Sequence, residues 1–264
     1  TWGSGVDQVK LVDGKTVSDV FAGQTAEEIA AGLKTEDDAK AFAAKVAPYL
    51  KNAKASAAQA GDKYVISGLD AGYYLVKDQN NTLQDKDDFY TAYIMKVVAN
   101  VSAAPKGDKP SLDKQIKHNE SGTWGVVGDN QIGDTVEFRT ITTVPDTTGY
   151  DTYVYKIHDT MSVGLTSNVS TAADITIKVN DAEVLDAKYY TVTANGNSFT
   201  VNVDILAAIN DGVLAKNDSL YTYYTGVLNA DAKVYDEGKQ ENVAYLEYSN
   251  NPNDEGTGRT KEVK

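Results

Sequence analysis

The sequence predicts a mainly β chain, an α+β domain followed by a β-sandwich, and three observations carry that expectation. Tyrosine dominates the aromatic residues with 17 copies, and Thr, Val, Asn and Asp are frequent, a composition that favours strands and turns over helices. Two capping-box patterns followed by helical apolar spacing lie in the N-terminal part. From Pro110 onwards, strand-like runs follow one another at short intervals between turn signals, which is the spacing of a sandwich.

In chain order, Thr25 to Glu28 forms a capping box ahead of Ile29 and Leu33. Thr35 and Asp38 open a second helix whose Phe42, Val46, Tyr49 and Leu50 share one face, and Pro48 is expected to kink or restart it. Strands are expected at Tyr64 to Ile66, around Tyr73 to Val76, and from Tyr90 to Val101. Small residues, two prolines and two lysines make Ser102 to Pro110 a linker, which divides the chain into domains 1–106 and 107–264. Beyond it, Asp146 to Gly149 is a turn, and Asn195-Gly196 signals a hairpin between Tyr189 to Thr193 and Phe199 to Val203. A short helix is expected over Asp204 to Asn210, ended near Gly212.

The 264 residues, 41% hydrophobic and 9% aromatic, are enough to fill two cores. A net charge of -13 repels phosphates and argues against nucleic acid. No apolar run approaches membrane-spanning length, so no membrane contact is expected of this stretch. Absence of cysteine leaves the compartment open. The W-G-S-G-V opening at Trp2 looks internal to an ordered unit, and T-K-E-V-K at Lys264 reads as the start of a strand. Both ends are therefore expected to continue, with the first strands of domain one and the last strand of the sandwich missing.

No G-x-S-x-G, H-E-x-x-H or glycine-rich phosphate loop is present, and His118 and His158 are the only histidines. Neither a turnover enzyme nor a cofactor is expected. The acidic stretches Asp85 to Asp88 and Asn250 to Glu255 lack EF-hand spacing and read as solvated turns, so no metal is expected either.

Three polar residues break strand alternation in the same direction. The inward set is Leu112, Lys114, Ile116 in one run, Tyr153, Tyr155, Ile157, Asp159 in another, and Leu246, Tyr248, Asn250 in a third. A buried lysine tends to lose its charge and become a nucleophile. A buried aspartic acid tends to keep its proton, which can polarise an asparagine carbonyl and then help ammonia leave. Lys114, Asp159 and Asn250 could thus make an amide cross-link once per molecule, with Asp159 as its catalyst. Asn251, of opposite parity, is a rival that a bulge would exchange for Asn250. The plainer alternative has Lys114 snorkelling, Asp159 in a salt bridge and Asn250 ending its strand.

These motifs resemble the backbone pilins of Gram-positive sortase-assembled pili, the isopeptide-forming fimbrial subunits. The stretches that carry the likeness are W-G-S-G-V (Trp2 to Val6), G-L-D-A-G-Y-Y-L-V (Gly68 to Val76), P-K-G-D-K-P-S-L-D-K (Pro105 to Lys114), Y-K-I-H-D-T-M-S-V-G-L (Tyr155 to Leu165) and L-E-Y-S-N-N-P-N (Leu246 to Asn253). The resemblance implies an immunoglobulin-like sandwich of the collagen-adhesin type, with Lys114 joined to Asn250 and Asp159 assisting. It also implies a linker lysine used by a class C sortase to receive the next subunit. The family's V-x-V-Y-P-K motif is matched by Val101-Ser102-Ala103-Ala104-Pro105-Lys106, which keeps the first Val, the Pro and the Lys; Lys106 is the candidate and Lys109 the fallback. On this reading the chain is an extracellular shaft subunit, polymerised head-to-tail with copies of itself in a cell-wall-attached pilus, with minor pilins and host surface molecules as further partners. The rivals are a host-matrix or glycan-binding adhesin and a sandwich-bearing hydrolase.

Overall fold

The computed structural model describes residues 1–55, 59–60, 63–78, 92–97, 109–147, 150–233, 240–251 and 256–264. The chain divides into two compact units, one of Thr1–Thr82 with Tyr90–Gly107, the other of Leu83–Phe89 with Asp108–Lys264.

The first unit is built on three helices, α1 (Val17–Val20), α2 (Ala26–Gly32) and α3 (Glu36–Val46). Thr16, Thr25 and Thr35 each close a full capping box with an acid three residues on, so each helix starts where orphan N–H groups find partners. Pro48 restarts the third helix as a single 3-10 turn over Ala47–Tyr49. Val17, Phe21, Ile29, Val46 and Tyr49 form the core. Trp2 stacks on Phe42 at 6.3 Å and meets Phe21 at 5.6 Å, so the opening W-G-S-G-V is indeed part of an ordered unit.

Among the described residues this unit also has two short antiparallel pairs: β1 (Gln59–Ala60) with β2 (Lys63–Tyr64), and β3 (Gly72–Lys77) with β4 (Ala92–Val97). The strand expected over Tyr64 to Ile66 is a correction. It ends at Tyr64: Val65 is 47% exposed, and alternation without a buried face does not sustain a strand. Lys106 and the Asp85 to Asp88 loop lie outside the described residues, as do Asn253 and Glu255.

The second unit is a two-layer antiparallel sandwich. Its strands are β5 (Leu112–Lys117), β6 (Trp124–Gly125), β7 (Thr135–Thr143), β8 (Tyr155–Met161), β9 (Leu165–Ser167), β10 (Thr176–Val179), β11 (Glu183–Val184), β12 (Tyr190–Asn195), β13 (Ser198–Val203), β14 (Ser219–Leu228), β15 (Asn242–Ser249) and β16 (Thr257–Arg259). One sheet runs β11-β10-β14-β7-β5-β6, with β9 also on β14, and the other runs β12-β13-β8-β15-β16. The inner faces alternate as a sandwich requires: Val136 and Phe138 on β7, Leu220 and Tyr224 on β14, Tyr155 and Ile157 on β8, and Leu246 and Tyr248 on β15 are all buried.

Asn195-Gly196 makes the β12–β13 hairpin, with Asn195 paired to Ser198 and Gly196 at φ +59°. Tyr189 belongs to a preceding 3-10 turn, so β12 begins one residue later than expected. Asp204 caps the helix α4 (Ile205–Asn210), and Gly212 follows at φ +71°. β16 and then Val263 pair along β15.

Candidate functional site

Lys114 lies on β5 in one sheet, and Asp159 on β8 in the other. Both point into the core, where they are 3% and 2% exposed. Lys114 Nζ donates to Asp159 Oδ2 at 2.6 Å across the sandwich. The same oxygen accepts from the hydroxyl of Tyr224, on β14, at 2.5 Å. That hydroxyl in turn accepts from Asn242 Nδ2, at the start of β15, at 3.3 Å. Aromatic rings enclose the group: Lys114 Nζ lies 5.9 Å from the centre of Phe138 and 5.8 Å from that of Tyr224. Phe199 flanks Asp159 on β13 and Ala244 flanks it on β15.

Burial dominates the electrostatics. It pulls the Lys114 ammonium down to about 8, against the opposing pull of the Asp159 charge. It raises the Asp159 carboxyl above its ordinary range, against the lowering influence of Lys114 first, then Tyr224 and Asn242. Tyr224 is pushed well above the usual phenol range by burial and then by the neighbouring carboxylate, so its oxygen keeps its proton. Desolvation therefore moves amine and acid toward each other in proton affinity and narrows the gap between the ion pair and the uncharged pair, amine plus carboxylic acid. Asp159 Oδ1 and Asn242 Oδ1 are buried and make no hydrogen bond. A carboxyl proton on Oδ1 would give this region a donor where it has two unpaired acceptors.

The structure thus brings Lys114 and Asp159 together, and it corrects the identity of the amide beside them. Asn250 is buried at 7% exposure and shares the inward parity, but it lies just past the end of β15. Asp159 is opposite Ala244, and Tyr155 is opposite Tyr248. Asn250 is therefore six residues beyond the level of Asp159, about 20 Å at the rise of an extended strand. Asn242 is two residues from Ala244 on the other side, a diagonal neighbour of Asp159 within side-chain reach. Asn251, 4% exposed, lies farther still along the chain. The signal for Asn242 was present in the sequence: it continues the inward series Tyr248, Leu246, Ala244 by one more step. Lys109 is exposed, at the start of the second unit.

No family model matches the chain, and no curated protein does. Among solved structures it is similar to a pilus backbone protein, RrgB, of Streptococcus pneumoniae, with 24% identity and a TM-score of 0.42 over 57% of this chain and 56% of that one. It is also similar to BcpA, the major pilin subunit of Bacillus cereus, with 17% identity and a TM-score of 0.43 over 74% of this chain and 55% of that one. A third is the collagen-binding subdomain of the surface protein ACE of Enterococcus faecalis, with 15% identity and a TM-score of 0.36 over 60% of this chain and 95% of that one. The chain spans 28% of the length of full-length RrgB. Among the described residues, no helix is long and apolar enough to cross a membrane.

Proposed function

We propose that this chain is a structural subunit of a covalently assembled surface pilus, and that its sandwich is locked by an amide bond between Lys114 and Asn242. The carrying observation is the buried contact of Lys114 Nζ with Asp159 Oδ2 at 2.6 Å, with Asn242 linked to the same oxygen through Tyr224. A neutral amine attacks the Asn242 carboxamide carbon, Asp159 polarises the carbonyl and moves the proton, and ammonia leaves. Folding holds the groups together at high effective concentration, so a single turnover needs no cofactor. The β5-to-β15 link ties an early strand of one sheet to a strand of the other, which suits a subunit that carries tension.

The test is intact mass followed by a tryptic digest of the folded chain. Loss of one ammonia and a branched peptide joining the Lys114 and Asn242 regions are expected. A free ε-amine on Lys114 in mature folded material overturns the reading.

Assembly through Lys106 by a class C sortase, head-to-tail with further copies in a cell-wall pilus, belongs to the same proposal. An acceptor amine has to be accessible on an extended segment, and a lysine preceded by Pro105 in a linker suits that need. Lys106→Ala, co-expressed with the sortase in a Gram-positive host, is expected to abolish the high-molecular-weight ladder; an unchanged ladder discards Lys106 and brings Lys109 forward.

A further inference from the structure

The condensation has a second proton problem besides activation of the amine. The leaving group is the amide nitrogen of Asn242, which departs as ammonia only after gaining a proton. The hydrogen bond of that nitrogen runs to Tyr224 Oη at 3.3 Å, and Tyr224 Oη bonds Asp159 Oδ2 at 2.5 Å. Asp159 Oδ2 bonds Lys114 Nζ at 2.6 Å. An unbroken line of contacts, Nζ to Oδ2 to Oη to Nδ2, therefore joins the nitrogen that must lose a proton to the nitrogen that must gain one.

We propose that Tyr224 is a catalytic proton relay, carrying the proton from Asp159 to the nitrogen that leaves Asn242. This rests on the cross-link reading above. As the Nζ–Cγ bond forms, the carboxyl proton of Asp159 passes to the Asn242 carbonyl oxygen and Nζ gives one hydrogen to Asp159 Oδ2. As the Cγ–Nδ2 bond breaks, Tyr224 gives its hydroxyl proton to Nδ2 and takes the one held on Oδ2, while the carbonyl oxygen returns its proton to Asp159. Amine plus carboxamide become a secondary amide plus ammonia, and both Asp159 and Tyr224 end as they began. In the resting amide, Nδ2 is a donor to Oη; in the tetrahedral adduct its lone pair is free, and the same two atoms exchange roles.

The surroundings suit a fixed relay. Tyr224 is 3% exposed. Its ring stacks on Phe138 at 5.7 Å and meets the edge of Phe199 at 4.9 Å. Its strand is paired on both sides, to β7 and β10. The hydroxyl therefore has little freedom to swing away, and the low-polarity wall keeps water from short-circuiting the transfer.

The experiment is single-turnover condensation of the whole chain, recovered unfolded and unreacted in denaturant and refolded by rapid dilution, with intact mass read against time. Folding is followed separately by circular dichroism. Tyr224→Phe is expected to fold at the wild-type rate and to lose ammonia at least about 100-fold more slowly, the usual scale of one general acid. Site-specific 3-fluorotyrosine and 3,5-difluorotyrosine at 224 keep ring and hydroxyl while changing its acidity, so they are expected to restore rapid reaction with rates that follow that acidity. They decide the question even where Tyr224→Phe fails to fold. Equal rates for wild type and Tyr224→Phe, or rates insensitive to fluorination, overturn the relay and leave the cross-link standing. A wild-type chain that never loses ammonia overturns the cross-link itself.

Discussion

Asn242→Ala is expected to leave the folded chain at its full sequence mass, whereas Asn250→Ala still loses one ammonia. The two substitutions remove the same group from two buried positions of equal parity, one at the start of β15 and one just past its end, so proximity to Lys114 separates them. Without the bond, the unfolded chain regains the entropy of a long closed loop, worth roughly 5 kcal/mol if disulfide loops are a fair guide. For a unit of this size that corresponds to a fall in Tm of about 10–20 °C. The Lys114–Asp159 pair is left intact in this variant and then controls how stability depends on pH. Unfolded Lys114 keeps its proton to about 10.5, but the folded side chain releases it near 8. The unfolded state thus binds more protons in between, and stability rises with pH across that window by on the order of 3 kcal/mol. Asp159 has the opposite sign: above 3.8 the folded carboxyl holds a proton that the unfolded one has released, so stability falls as pH rises through its raised value. Urea titrations of Asn242→Ala should therefore show stability falling as pH rises above 3.8 and recovering as pH approaches 10.5. A flat profile, or an ammonia lost from Asn242→Ala, rules out this placement of the site.

Asp159→Ala has a larger expected effect, because it removes the bond and strands a charge. The catalyst is gone, so the chain keeps its full mass and forfeits roughly 5 kcal/mol. Lys114 is then buried among Phe138, Tyr224 and Thr140 with no counter-charge, which costs a further ~3–5 kcal/mol. The sum is comparable with the whole stability of an ordinary domain, about 5–15 kcal/mol. The sandwich is expected to be unfolded or nearly so at neutral pH, and to regain structure as pH is raised and the lysine becomes neutral in both states. Lys114→Met added to Asp159→Ala is expected to recover the second penalty but not the first. Circular dichroism and urea unfolding of the two variants measure both. If Asp159→Ala is as stable as the double variant at neutral pH, the burial argument for Lys114 is wrong.

Much of the fold was legible because its determinants are local. The helix starts at Thr25 and Thr35, the hairpin at Asn195-Gly196 and the cap at Asp204 each depend on a few adjacent residues whose backbone preferences point one way. The run around Val65 is not legible in the same way, because a strand needs a buried face and local alternation does not report that Val65 stays exposed. Pairing of Thr257–Arg259 and Val263 with β15 is likewise a long-range event that no local pattern reports.

Side-chain period, readable in one dimension, told which residues face inward, and it turned Lys114, Asp159 and Asn250 toward the interior, where all three are buried. It could not say at what height along the strands they meet, since parity is the same at every second residue. Asn242 and Asn250 are equivalent by that measure. Only the inter-strand register, with Ala244 opposite Asp159, puts one amide next to the acid and the other about 20 Å away. Register is set by the packing of two whole sheets against each other, a property of the assembled sandwich that no single strand contains.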